Sequence, residues 1–130
     1  MSAPSQIYVA VVDDDESACR ALSRLLRAEG MQPVAYPSAE AFLADAKRPG
    51  FDCLVLDIQL GGMSGIELHQ QLKAAGSSTP VVYITAHDAP EFREPAQALG
   101  CAAFFAKTAP GRNVIQAIRG TANHKEDRHS

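Results

Sequence analysis

Five polar side chains that could act together in a chemical site stand at the ends of short apolar runs of the sequence. Asp13 and Asp14 follow the first run, Asp57 follows the third, and Thr85 and Lys107 lie at the ends of the fourth and fifth. If three carboxylates gather within a few ångströms, each pair repels by roughly 4 kcal/mol at an effective dielectric of about 20. A protein tolerates such a cluster if one carboxylate is protonated or if cations neutralise the charge, and Lys107 supplies one positive charge. Oxygen ligands without His or Cys favour Mg²⁺ as the remaining charge.

The elements that must bring these residues together alternate regularly. Apolar runs rich in β-branched residues predict strands, and the segments between them have helical periodicity. Four of the five runs are apolar on both faces, which is typical of parallel strands covered by helices on each side. The predicted strands are 7–12, 33–36, 53–56, 81–85 and 102–106, and the predicted helices are 17–29, 38 to about 48, 65–75, 90–99 and 110 onwards.

This βα alternation predicts an α/β fold, a three-layer doubly wound (βα)5 sandwich of the flavodoxin-like type with parallel sheet order 2-1-3-4-5. The carboxyl ends of all its strands would share one edge, with strands one and three as neighbours. The alternative is that each polar residue is a solvated loop residue, since Asp and Thr are common in turns and helix caps. That alternative explains one residue well and all five together poorly.

Composition fits one ordinary globular domain. The chain has 130 residues, of which 46% are hydrophobic and 21% charged. A net charge of −3 and a pI near 5.7 give no reason to expect a nucleic-acid or membrane partner. We expect residues 1–5 to be an N-terminal extension, 6–120 the domain, and 121–130 a polar, frayed tail or the start of a linker.

The three cysteines favour a cytoplasmic location. Cys19, Cys53 and Cys101 are odd in number, widely spaced and each in an apolar stretch, which predicts buried reduced thiols and neither a disulfide framework nor a zinc site. No apolar run reaches the ~20 residues that a membrane span needs, and the first residues lack the pattern of a secretory signal.

With these residues in place, the sequence resembles the receiver domain of bacterial two-component response regulators, the CheY-like superfamily. Val11-Val12-Asp13-Asp14-Asp15-Glu16 resembles the acidic strand end of that family, and the segment from Leu56 to Gly65 resembles its phosphorylation loop. Thr85-Ala86 and Lys107 match the two remaining signature positions. The resemblance covers about residues 6–120.

The resemblance implies a role for each matching residue. Asp57 would accept a phosphoryl group from the phosphohistidine of a sensor histidine kinase or histidine phosphotransfer protein. Asp13, Asp14, Asp57 and the backbone carbonyl of Gln59 would hold Mg²⁺. Lys107 would bind a phosphoryl oxygen as a point charge.

It also implies a conformational output. Thr85 would turn towards the phosphoryl group, and Phe104 would rotate into the space that Thr85 leaves. Gln59 and His87 would tune the lifetime of the phosphoryl group, which water would remove in time. The downstream partner would be a target protein or an output domain beyond this chain, and a phosphorylation-dependent homodimer is a further expectation.

The sequence departs from the family at four places. Thr108 follows Lys107 where Pro on a cis bond is usual, and since a cis bond before another residue costs ~3–4 kcal/mol we expect it to be trans. Gly61 replaces a Pro, which makes the loop after Asp57 more flexible. Phe104 replaces Tyr, and Pro95 predicts an irregular fourth helix.

Other titratable residues are expected to have plainer roles. Asp15 and Glu16 are expected to begin the first helix, where negative charge is favoured. His69 is expected on the exposed side of the third helix.

Two other functions compete with the phosphorylated receiver. One is an adaptor of the same fold that works without phosphorylation, which the departures at Thr108 and Pro95 keep open. The other is an enzyme or nucleotide binder. An aspartyl phosphatase would need a general acid two residues after Asp57, where Gln59 is found. A nucleotide binder would need a glycine-rich phosphate loop after strand one, and acids follow that strand instead.

Overall fold

Five strands and five helices alternate along the chain in a computed structural model that describes residues 6–86 and 90–127, with side chains up to Thr121. The strands are β1 Tyr8–Val12, β2 Gln32–Tyr36, β3 Cys53–Asp57, β4 Val81–Thr85 and β5 Ala103–Ala106. The helices are α1 Glu16–Ala28, α2 Ala39–Ala44, α3 Gly65–Ala74, α4 Pro90–Ala98 and α5 Gly111–Asp127.

The five strands form one parallel sheet in the order β2-β1-β3-β4-β5, which confirms the predicted flavodoxin-like α/β fold. Val12 on β1 lies beside Leu56 on β3, and Asp57 lies beside Ile84 on β4. This register brings the residues that follow Val12 next to Asp57 at the carboxyl edge of the sheet.

Two apolar cores sandwich the sheet, because alternate residues of each strand point to opposite faces. On one face Leu56 and Leu68 pack with residues of α2, α3 and α4. On the other, Val11 and Val55 pack against Leu26 of α1 and residues of α5. Burying each such side chain contributes about 1.5–3 kcal/mol, so both layers of helices are anchored to the strands that carry the polar edge.

Side-chain caps fix where the first three helices begin. Asp15 caps α1, its Oδ1 accepting from the amides of Ser17 at 3.0 Å and Ala18 at 3.2 Å. Ser38 caps α2, and Ser64 forms a capping box at the start of α3. The plain role predicted for Asp15 is confirmed.

Helix α2 is shorter than predicted and ends at Ala44 instead of near Pro49-Gly50. Asp45 has an extended backbone, and its carboxylate accepts hydrogen bonds from the Tyr36 hydroxyl at 2.7 Å and the Lys47 amide at 3.1 Å. These bonds favour a turn over a further helical turn.

The last two helices also differ from expectation. α4 contains Pro95 yet stays helical to Ala98, and the Pro95 carbonyl accepts from the Leu99 amide at 3.1 Å. α5 continues to Asp127, where we expected a frayed tail. The boundary after residue 120 stays a prediction.

The three cysteines are free thiols, as predicted; Cys19 and Cys53 are buried and Cys101 is half-buried. Within 6–86 and 90–127 there is no helix with the length and apolar character that a bilayer crossing requires.

Candidate functional site

Three carboxylates meet at the carboxyl edge of the sheet. Asp13 and Asp14 follow β1, and Asp57 is the last residue of β3. Each offers an oxygen, and these atoms lie within 4.8 Å of one another. Asp13 is 1% and Asp57 3% exposed, whereas Asp14 faces solvent. The structure therefore brings together the acids that the sequence predicted, two of them almost fully buried.

Lys107, which directly follows the outermost strand β5, completes this acidic cluster at the same edge of the sheet. Its Nζ lies 3.0 Å from Asp57 Oδ2 and within about 3 Å of both oxygens of Asp13. Its backbone amide donates to the Thr85 carbonyl at 2.7 Å, which ties it to the end of β4. The described peptide bonds are all trans, so the Lys107–Thr108 bond is trans as predicted, and Lys107 still reaches both acids.

Burial and pairing set the charges in the site. Burial raises the pKa of Asp57 to about 6; the ammonium of Lys107 opposes this rise, and the neighbouring Asp13 adds to it. Burial alone would lower the pKa of Lys107, but its hydrogen bonds to Asp13 and Asp57 outweigh that effect and raise it. Lys107 is therefore a fixed positive charge between two carboxylates.

The donor set fits a hard divalent cation. Asp13, Asp14 and Asp57 offer carboxylate oxygens only, and one ammonium balances one of their three charges. Mg²⁺ prefers such oxygens and keeps several waters, which exposed Asp14 leaves room for. These three residues could hold a metal ion.

The loop between Asp57 and α3 passes directly over the acids. The amide of Gln59 donates to Asp57 Oδ1 at 3.1 Å, and the Gln59 side chain is exposed. The amide of Gly61 donates to Asp14 Oδ2 at 3.3 Å. At the start of α3, a Cβ on Gly65 would collide with the Asp57 carbonyl, so glycine permits this close approach.

Glu40 also contacts this loop, and the sequence analysis missed it. Its Oε2 accepts from the amide of Met63 at 2.9 Å, and this bond lowers the pKa of the Glu40 carboxyl. The two residues are 23 positions apart on different elements. No local pattern in the sequence signals such a contact.

The predicted switch residues lie on neighbouring strands. Thr85 is 1% exposed at the end of β4 and pairs in register with Ala106 of β5. Phe104 is half-buried, with its ring centroid 6.2 Å from that of Tyr83 and the guanidinium carbon of Arg93 5.0 Å above it. His87, the predicted tuning residue, lies outside the described residues.

The expectation that His69 is exposed is wrong. His69 is 5% exposed, and its Nδ1 lies 2.6 Å from the hydroxyl of Tyr83 on β4. Burial and the nearby Lys73 lower the pKa of His69, while burial raises the pKa of Tyr83. A polar side chain on an inner helix face is stable when it has a partner there, and Tyr83 is that partner.

Comparison with known proteins identifies the family. Residues 9–119 match the model of the response regulator receiver domain. With its parallel sheet, acidic pocket and lysine, this chain belongs to the response regulator receiver domain family.

Individual relatives agree with this assignment. The response regulator protein TodT of Pseudomonas putida is 35% identical over 115 residues, which are 88% of this chain and 50% of TodT. A response regulator receiver protein from Burkholderia phymatum is 37% identical with a TM-score of 0.79, covering 91% of this chain and 96% of that one. A CheY-like receiver domain protein from Methanospirillum hungatei has a TM-score of 0.87 at 22% identity, over 95% of this chain and 99% of its own, and supports the fold alone. The chain spans about half the length of the curated relatives it matches.

Proposed function

We propose that this chain is a phosphoacceptor switch: Asp57 takes a phosphoryl group from a histidine kinase or a histidine phosphotransfer protein in a Mg²⁺-dependent reaction. The observation that carries this proposal is the meeting of Asp13, Asp14 and Asp57 within 4.8 Å, with Lys107 bonded to the two buried acids. Family membership supports the same function.

The residues of the site suit phosphoryl transfer. A carboxylate oxygen of Asp57 attacks phosphorus, the P–N bond to the donor imidazole breaks, and the imidazole leaves with the bonding pair and is protonated. Lys107, already 3.0 Å from Asp57 Oδ2, moves little to bind an oxygen of the transferred group. Mg²⁺ held by Asp13, Asp14, Asp57 and the Gln59 carbonyl would neutralise charge on the transferring oxygens.

The same open site accounts for a transient signal. Water attacks the acyl phosphate and releases inorganic phosphate, which restores Asp57. Ala86 is exposed and small, which leaves the approach to Asp57 open. Gln59 and His87 would set how readily water enters.

The output would be a rearrangement next to the site. Thr85 would bond a phosphoryl oxygen, and Phe104 would turn inwards beside Tyr83. The next component would be an output domain or a separate target protein; the match to TodT covers 50% of that relative. A phosphorylation-dependent homodimer and a cytoplasmic location complete the proposal, the latter supported by three free thiols.

Intact mass after incubation with acetyl phosphate and MgCl₂ tests this function. We expect a gain of one phosphoryl group, lost on chelation of the metal and in Asp57→Asn. Asp52→Asn is the matched control, because Asp52 directly precedes β3, at the end of the strand opposite Asp57, and accepts a hydrogen bond from the Tyr8 amide.

A folded protein that gains no mass, and whose NMR spectrum is unchanged by beryllofluoride, would instead support the adaptor function. The departure at Thr108 does not favour that alternative, because Lys107 contacts Asp57 although the Lys107–Thr108 bond is trans.

A further inference from the structure

The loop that follows Asp57 has little covalent stiffness of its own. Gly61 and Gly62 are adjacent, and Gly62 has a φ of +80°, which is the left-handed region that favours glycine. Glycines allow many backbone conformations, so a fixed path for this loop needs bonds from outside it. Asp57 bonds the Gln59 amide at the start of the loop, and two further side chains bond the amides around the glycines: Asp14 to Gly61 and Glu40 to Met63.

Of these last two bonds, the one from Asp14 involves a residue that would also ligate the metal ion, and the one from Glu40 does not. Asp14 is one of the three acids that could hold the cation, and its bond to Gly61 is long, at 3.3 Å. Asp14 would be shared between the cation and the loop, so its bond to Gly61 depends on how a bound cation orients the carboxylate. Glu40 lies outside the acidic cluster, and its 2.9 Å bond to Met63 is available in both states.

Buried neighbours and an N-cap fix the part of helix α2 that carries Glu40. Ala39 and Phe42, on either side of it, are 0% and 3% exposed, and Ser38 caps the helix through the Ala41 amide. Glu40 lies on the exposed side of α2, and its carboxylate contacts the loop. A Cβ built on Gly62 would lie 2.7 Å from Glu40 Oε2, which shows how closely the loop passes the carboxylate.

We propose that Glu40 is a positioning residue for the metal site: by holding the Met63 amide it restrains the glycine segment beyond Leu60, and, together with the bond from the Gln59 amide to Asp57, it holds the Gln59 carbonyl that would face the cation. This inference rests on the proposed function for the role of Mg²⁺. The clamp on the loop is a property of the metal-free protein as well, and can be measured there.

Substitution of Glu40 tests the inference. In Glu40→Ala the Mg²⁺ dissociation constant, measured by calorimetric titration with MgCl₂, should rise about tenfold, as for other residues that orient metal ligands. At saturating Mg²⁺ the phosphorylation rate with acetyl phosphate should stay near that of the wild type. Glu40→Gln keeps an acceptor oxygen and should retain most of the affinity, and Glu94→Ala on exposed α4 is the control for loss of a surface carboxylate.

Hydrogen exchange supplies a readout that does not depend on the metal. In the metal-free protein the amides of Gly61 and Met63 should exchange faster in Glu40→Ala than in the wild type, whereas amides of β1 should not change. Unchanged exchange and unchanged Mg²⁺ affinity in Glu40→Ala would overturn the inference. Equal loss of affinity in Glu40→Gln and Glu40→Ala would also overturn it, because the effect would then come from charge.

Failure of the proposed function looks different. In that case the wild type itself would not bind Mg²⁺ or gain a phosphoryl group, while the exchange experiment would still report whether Glu40 holds the loop. A wild type that binds Mg²⁺ beside a Glu40→Ala protein of equal affinity would instead reject the role of Glu40 alone.

Discussion

Lys107 allows two buried carboxylates to lie side by side in the folded protein. Asp13 and Asp57 are both almost fully buried, and the Lys107 ammonium lies about 3 Å from each. Leaving such charges unpaired costs several kcal/mol, so the lysine is as much a part of the fold as of the site. Under the proposed function the same arrangement would also serve reactivity, because a group that neutralises two acids is already placed to neutralise a phosphoryl oxygen.

Protonation of buried His69 should make stability depend on pH. The lowered pKa of His69 means that the unfolded chain takes up a proton below about pH 6.5 while the folded protein still holds a neutral imidazole. Stability should therefore fall as pH drops through this window, by up to about 1.4 kcal/mol per pH unit. Urea unfolding of the wild type and of His69→Gln between pH 7.5 and 5 measures the effect.

The difference between the two proteins isolates His69. The raised pKa of Asp57 acts with the opposite sign, because the folded protein binds that proton first, and it does so in both proteins. If His69→Gln loses as much stability on acidification as the wild type, His69 does not titrate as its burial requires.

At the scale of elements, the cap of α3 links the loop after Asp57 to a helix. Ser64 Oγ accepts from the Glu67 amide at 3.1 Å, and the Glu67 carboxylate accepts from the Ser64 amide at 3.2 Å. Ser64→Ala removes the first bond and should lower the free energy of unfolding by about 1 kcal/mol. Chemical denaturation measures it, with exposed Ser78→Ala as the control, which should change stability by less than about 0.5 kcal/mol. Equal effects of the two substitutions would contradict the capping role.

Element order and the acidic cluster could be predicted because they depend on local patterns. Apolar runs locate the strands, parallel sheets collect their carboxyl ends at one edge, and Asp13, Asp57 and Lys107 stand at those ends. Element ends were less predictable where a side chain intervenes, as Asp45 does when it bonds Tyr36 and shortens α2.

Contacts between distant elements could not be predicted from one sequence. His69 on α3 has an ordinary helical environment in the sequence, and only the packing of α3 on β4 gives it Tyr83 as a partner. The contact of Glu40 with Met63 likewise depends on how α2 lies beside the loop after β3. Both residues are polar, so whether each is buried or contacts another element depends on a hydrogen-bond partner that hydrophobic periodicity does not identify.

For the whole molecule, filling the site should stabilise the fold. A ligand that binds only the folded state adds RT ln(1 + [L]/Kd), about 2.7 kcal/mol at a hundredfold excess over Kd. The thermal midpoint should therefore rise with MgCl₂ in the wild type and rise much less in Asp57→Asn. NaCl at matched ionic strength controls for screening. Equal rises with the two salts, or in the two proteins, would count against a metal site at Asp57 and its neighbours.

The outermost position of β5 affects how easily Lys107 can leave the acidic cluster. The strand is hydrogen-bonded to β4 on one side, and it delivers Lys107 to acids that stand on the interior strands. Edge elements open at a lower free energy than the centre of a sheet. Brief detachment of this one strand would therefore remove the ammonium from Asp13 and Asp57 while the other four strands stayed paired, so the proposed activity could be lost without global unfolding.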